Sequence, residues 1–188
     1  MQSDFPYHVT SRTVNKESFH VDMRLLWKFI SRRLHFCSFA FKIEIHAFVL
    51  MNNHYHLIVR TPNANLSQFM CYFNRELSKE LNRATGRINQ NFGTRYYASL
   101  VKDPRYYLTL YRYVYRNPIE AGACAKVEDY EFSSLRQVIG RSKMEFPIFD
   151  FPIVEGNSFT NLEWLNETSK SEERSQIRKS LKKAVFVL

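Results

Sequence analysis

His54-Tyr55-His56 opens a run to Arg60 whose β-branched, alternating residues predict a strand. A side-chain period of two then puts both imidazoles on one face and Tyr55 on the other. Two neutral imidazoles sharing a face make half of a divalent-ion site. The same triplet also suits a pair of surface or hydrogen-bonded histidines, and taken alone it favours that reading. The three cysteines, Cys37, Cys71 and Cys124, have no Cys-x-x-Cys spacing, and no His-Glu-x-x-His run is present. A thiolate zinc site, a disulfide framework and zinc-protease chemistry are therefore unsupported.

A second concentration of chemistry lies between Asp103 and Asn117, where Tyr106, Tyr107, Tyr111, Tyr113 and Tyr115 crowd one segment. Asp103 is a helix N-cap with Pro104 at the first helical position. Helical spacing sorts the phenols. Tyr107, Tyr111 and Tyr115 form an i, i+4 stripe suited to aromatic packing. Tyr113 and Asn117 lie one turn apart on a different stripe, where a phenol and an amide oxygen can supply a nucleophile and a further metal ligand. The helix by itself favours a packed core over a catalytic face.

The elements that must position these groups follow from periodicity and punctuation. Phe5 to Thr13 predicts a strand, Val21 to Cys37 an amphipathic helix, and Phe41 to Met51 a strand meeting an Asn52-Asn53 turn. After the strand His54 to Arg60, a helix runs from Asn65 to about Arg83 and stops at Gly86. Arg95 to Val101 is a further strand, and the tyrosine helix closes at or shortly after Asn117-Pro118. The order β-α-β-β-α-β-α predicts an α+β fold: a ferredoxin-like split βαβ with a four-stranded antiparallel sheet and helices packed on it. Residues 127–188 read as an irregular C-terminal extension to a domain of residues 1–126. It holds a short helix near 128–140, an extended arm over Phe146 to Val154, and a charged, solvated helix or tail from Ser169 to Lys183.

The chain has 188 residues, with 27 Lys+Arg against 18 Asp+Glu for a net charge of +9, and 15% aromatic residues. Cations neutralise phosphates and rings stack on unpaired bases, so this balance favours a nucleic-acid partner. Arg12, Arg60, Arg95 and Arg112 are candidate DNA contacts, and Tyr96 or Tyr97 a candidate stacking ring, since alternation turns one of the two inward. No apolar run approaches membrane-spanning length and Met1 to Thr10 lacks an apolar signal core, so no membrane partner and a cytoplasmic, nucleoid-associated protein are expected.

The block from Phe48 to Val59, with Asn52-Asn53-His54-Tyr55-His56 at its centre, resembles the signature of the HUH single-tyrosine transposases. The branch it most resembles is the REP-associated tyrosine transposases and their insertion-sequence relatives. Three further stretches agree in order and spacing: Tyr7 to Arg12, Asn65 to Met70, and Tyr111 to Pro118. The resemblance covers about residues 5–140. Asn52 departs from it, standing where a proline is common, and so does Tyr115, standing where relatives often carry histidine. The resemblance implies metal ligation by His54 and His56, with Asn117 as a third ligand, and nucleophilic attack by Tyr113. It implies magnesium or manganese as cofactor and hairpin-bearing single-stranded DNA as partner, bound by a monomer or a homodimer. The activity implied is phosphodiester transesterification: a DNA endonuclease and strand transferase working through a 5′-phosphotyrosine. The alternative is a domesticated descendant that binds structured single-stranded DNA or RNA without cutting it.

Overall fold

In the computed structural model, residues 2–88, 90–150, 161–168 and 171–187 are described. Four strands, β1 (Tyr7–Arg12), β2 (Glu44–Leu50), β3 (His54–Arg60) and β4 (Tyr97–Leu100), form one sheet in the order β2-β3-β1-β4, with every neighbouring pair antiparallel. With α1 (Met23–Ala40) between β1 and β2, and α2 (Leu66–Thr85) between β3 and β4, this is the split βαβ arrangement. The tyrosine helix α3 (Pro104–Glu120) follows β4, and short helices α4 (Leu135–Val138), α5 (Leu162–Asn166) and α6 (Ser171–Ser180) complete the described chain.

The sheet divides two cores because alternate side chains leave it on opposite faces. Tyr7, Val9, Tyr55, Leu57 and Val59 meet Leu26, Ile30 and Leu34 of α1 and Phe69, Phe73 and Leu77 of α2. Ala47, Val49 and Ile58 meet Tyr107, Leu110, Tyr111, Val114 and Tyr115 of α3 on the other face. The register of β2 against β3 shifts between Ile45 and Ala47, so His46 is an extra residue in a β-bulge that re-aims the second half of β2. The stripe Tyr107-Tyr111-Tyr115 is thus aromatic core, and it faces β2 rather than solvent.

The Asn52-Asn53 hairpin turn stands where expected and differs only in its backbone conformation. Neither Asn52 nor Asn53 adopts the positive φ that a tight Asn-rich hairpin turn favours. Their carbonyls instead accept from the backbone N–H of Phe19 (3.3 Å) and Thr13 (3.0 Å), so the 13–19 segment holds the turn. The tyrosine helix also passes through Pro118 and ends at Glu120. Proline has no N–H for the Val114 carbonyl, and the Asn117 side chain substitutes, its Nδ2 donating to Tyr113 O (2.9 Å) and Val114 O (3.3 Å). Gly86, at φ +68°, ends α2 in the left-handed conformation expected there.

The extension is less detached than its composition suggests. Leu165, Ile177 and Phe186 are buried with α3, and residues 184–186 run beside β4, with Leu100 N–H donating to Ala184 O at 2.9 Å. Residues 132–134 line the edge of β2, where Leu50 N–H donates to Phe132 O and Phe48 N–H to Ser134 Oγ. Of the expected arm over 146–154, Phe146 is buried and Phe149 N–H donates to Ile45 O at 2.8 Å, while residues 151–154 lie outside the described residues. Within Ser169 to Lys183, the helix spans Ser171–Ser180 but buries Ile177 and Ser180 rather than lying free in solvent.

Candidate active site

The alternation that sends Tyr7, Val9 and Ser11 into the first core turns His8, Thr10 and Arg12 to the opposite face. Thr10 pairs with His56 across β1 and β3, and with Tyr97 across β1 and β4. His54 and His56 therefore share a wall with His8, Thr10, Arg12 and Tyr97, and α3 hangs Tyr113 and Asn117 over it. These side chains line one cavity of about 1280 Å³, bounded on its far side by Arg178 of α6 and Lys182. The ring centroids of His54 and His56 are 5.0 Å apart, and that of Tyr113 lies 6.0 Å from His56 in an edge-to-face contact.

Hydrogen bonding fixes how the imidazoles present themselves. His54 Nδ1 lies 2.7 Å from Asn53 Oδ1, an oxygen that only accepts, so Nδ1 carries the proton and the Nε2 lone pair stays available. His56 Nδ1 lies 2.9 Å from His8 Nε2, while His56 Nε2 is buried without a hydrogen-bond partner. A buried nitrogen left bare is costly, unless a ligand completes it. If His56 Nδ1–H is the donor to His8, the contact is the one by which a metal-ligating histidine is oriented from behind. Asn117 lines the same cavity, and its Nδ2 is committed to helix carbonyls, which leaves Oδ1 as its only atom able to ligate. Among the described residues no three His, Cys, Asp or Glu converge into a cage, so this chain offers two imidazoles and an amide oxygen. That set fits a divalent ion whose remaining positions are filled by phosphate oxygens and water.

Burial keeps these rings neutral. It lowers His8 to about 3 and His54 to about 4, and holds His56 well below the ordinary value, with the neighbouring histidines and Arg12 adding to the effect. Burial likewise lowers His46, in the bulge, to about 4. An imidazole buried neutral favours folding fully above its unfolded value of 6.5, and that advantage shrinks as pH falls toward the folded value. In metal-free buffer the melting midpoint should therefore fall steadily from pH 6.5 to pH 4. Each such ring weakens folding by up to about 1.4 kcal/mol per pH unit. A midpoint flat over that range in a thermal scan would contradict the buried neutral cluster.

Of the remaining candidate residues, Arg12 and Tyr97 belong to the cavity and the others lie elsewhere. Tyr115 is buried in the second core with its hydroxyl 2.9 Å from Ser134 Oγ, and it does not line the cavity. Arg12 lines the cavity, whereas Arg60 is held by both Glu44 oxygens at 2.6 Å, its charge already balanced. Arg95 stacks over Tyr96 and donates to Ser67 Oγ on a separate groove along α2. Arg112 donates to Glu167 O and lies over Trp164, in a cleft between α3 and α5. Tyr96 turns inward against the first core and Tyr97, 60% exposed, faces the cavity.

His8 and Arg178 are cavity residues absent from the candidates that the sequence offered. His8 carried a signal, since the period of β1 puts it on the face of Arg12, but its contact with His56 depends on the β1–β3 register. Arg178 carried none.

Comparison with known proteins places these observations. The family model described as "Transposase IS200 like" matches residues 1–117, ending at Asn117. A solved structure of a REP-associated tyrosine transposase bound to a REP hairpin is similar over 83% of this chain and 94% of that chain, with a TM-score of 0.62 and 20% identity, a likeness of fold. No curated protein matches the sequence.

Proposed function

This chain belongs to the IS200-like transposase family, and on that footing we propose that it cuts and rejoins hairpin-bearing single-stranded DNA with Tyr113 as nucleophile. The observation that carries the proposal is the convergence, in one cavity, of the Tyr113 phenol with the bare, buried Nε2 of His56. The structurally similar transposase is bound to a hairpin, which supports the substrate class. The +9 charge and the exposed Tyr97 ring beside the cavity suit a strand with unpaired bases.

His54 and His56 would hold a divalent ion, magnesium or manganese, with Asn117 Oδ1. Such an ion, when bound, polarises the scissile phosphate and stabilises charge on its oxygens. Every other contribution comes from the chain. Tyr113 Oη attacks phosphorus; the new bond is Oη–P, the broken bond is P–O3′, the phenol gives up its proton and the departing 3′-oxygen takes one up. The product is a 5′-phosphotyrosine and a free 3′-hydroxyl. Because the adduct conserves the phosphodiester's energy, a 3′-hydroxyl reverses the step and rejoins DNA without a nucleotide cofactor. Burial pushes the Tyr113 pKa up, while Arg178 and Arg12 oppose that rise. Asn53 fixes the His54 tautomer, His8 holds the His56 ring through its Nδ1, and α3 holds phenol and amide one turn apart on the same face.

The test is to incubate the full chain, with magnesium or with manganese, against a panel of end-labelled hairpin oligonucleotides carrying single-stranded flanks. A protein–DNA band that survives denaturation, and disappears with chelator, is the expected result. Tight hairpin binding with no covalent band in either ion would replace this reading with a non-cleaving binder.

A further inference from the structure

The helix α6 lies wholly outside the family-matched residues, yet it reaches the cavity. Its seating is well defined. Ile177 is buried against α3, Arg174 pairs with Glu120 at 3.0 Å, and Ser180 is buried with its Oγ bonded to both the carbonyl and the N–H of Val187. With those residues facing inward, the helix turns Arg178 toward the site, where it lines the same cavity as Tyr113 and its charge opposes the rise in that phenol's pKa.

The charges around Arg178 are unbalanced. Arg174, one turn earlier, has a carboxylate; among the described residues no carboxylate pairs with Arg178 or with Arg12. Glu120, the one acidic side chain lining the cavity among the described residues, is already shared between Arg116 and Arg174. The histidines of the cavity contribute no negative charge. A cavity lined by a phenol and by two guanidiniums that no carboxylate among the described residues neutralises is complementary to an anion. Guanidinium forks match the non-bridging oxygens of a phosphodiester.

We infer that Arg178 is a phosphate-binding residue of this active site, gripping with Arg12 the non-bridging oxygens of the scissile phosphodiester against the Tyr113 hydroxyl. This rests on the strand-transfer reading and deepens it. The C-terminal segment then completes the active site rather than merely following it, and the 1–117 portion lacks one of its charges.

The test uses the full chain and the panel oligonucleotide that the wild type cleaves. Arg178→Ala should slow adduct formation by at least about 100-fold, the scale on which an arginine stabilising a phosphoryl-transfer transition state acts. Arg178→Lys should recover part of that loss, and the melting midpoint of both variants should stay near wild type because the side chain is exposed. A methylphosphonate at the scissile step removes the charge that Arg178 meets, so there the Arg178→Ala penalty should shrink to under about threefold. A second readout needs no cleavage. In a Tyr113→Phe background without metal, Arg178→Ala should weaken binding of the phosphate oligonucleotide about tenfold and leave the methylphosphonate version unchanged.

Arg178→Ala cleaving as fast as wild type, or faster, overturns the inference; faster cleavage would make the guanidinium a plug. An equal penalty on both phosphate forms overturns it as well, since a structural role is blind to that charge. In all these outcomes the wild type still makes its adduct, so the strand-transfer reading survives. A wild type that makes no adduct, with metal-free binding equally blind to Arg178 and to phosphate charge, sinks both.

Discussion

Tyr113→Phe should abolish the covalent protein–DNA band, with a loss of at least about 10⁴-fold in adduct formation, because no other atom can form the Oη–P bond. The substitution removes one oxygen and keeps the ring that packs edge-to-face on His56. Folding stability should therefore change by no more than about 1 kcal/mol, and hairpin affinity by less than about threefold. The informative control is Tyr115→Phe. That hydroxyl bonds Ser134 Oγ inside the second core, and Ser134 Oγ in turn accepts from Phe48 N–H, tying α3 to the edge of β2. Its loss should lower stability by about 1–2 kcal/mol in urea denaturation while adduct formation persists. The two neighbouring phenols thus predict opposite phenotypes: one chemically dead and stable, the other active and weakened. A covalent band from Tyr113→Phe, or its loss from Tyr115→Phe, would reassign the nucleophile.

That opposition shows what a local pattern carries and what it omits. The separation of Tyr113 from Tyr111 and Tyr115 was legible because 100° per residue is a local rule, and α3 obeys it. The shared face of His54 and His56 was legible for the same reason, with a period of two. So was the sheet, since each hydrophobic run and each breaker, down to Gly86, lies near the element it bounds. What local rules omit is register and docking. His8 meets His56 only because Thr10 stands opposite His56, a pairing between residues 46 apart in sequence. Arg178 belongs to a helix whose composition, Ser-Glu-Glu-Arg-Ser-Gln-Ile-Arg-Lys-Ser, reads as solvated on every face but one. One buried isoleucine and one ion pair to Glu120 aim it, and neither has a signature within the segment. Arg60 makes the converse point. Its charge counts toward the basic balance in sequence, yet Glu44, directly across the β2–β3 ladder, neutralises it.

His56→Ala should carry the second large effect, and it separates the ion from the fold. If His56 Nε2 is a ligand, manganese raises the melting midpoint of the wild type by mass action, since the ion binds the folded chain and not the scattered ligands of the unfolded one. His56→Ala should erase that rise and weaken manganese binding, followed by calorimetry, by at least about 100-fold, the upper end of what loss of an outer partner costs a metal site. Adduct formation should fall in parallel and recover only partly at high manganese. The variant also leaves His8 Nε2 facing a space its partner filled, so the metal-free protein should lose about 1–3 kcal/mol of stability. His8→Ala makes the complementary measurement. It removes the same hydrogen bond but spares both ligands, so it should share the stability loss while manganese affinity drops only about 10- to 100-fold. The ordering of the two variants is the decisive result: equal in stability, unequal in metal. Should manganese leave the wild-type midpoint unmoved, or should His56→Ala respond to it as the wild type does, the bare nitrogen in the cavity is not a metal ligand, and the charge on the phosphate must be met by Arg12 and Arg178 instead.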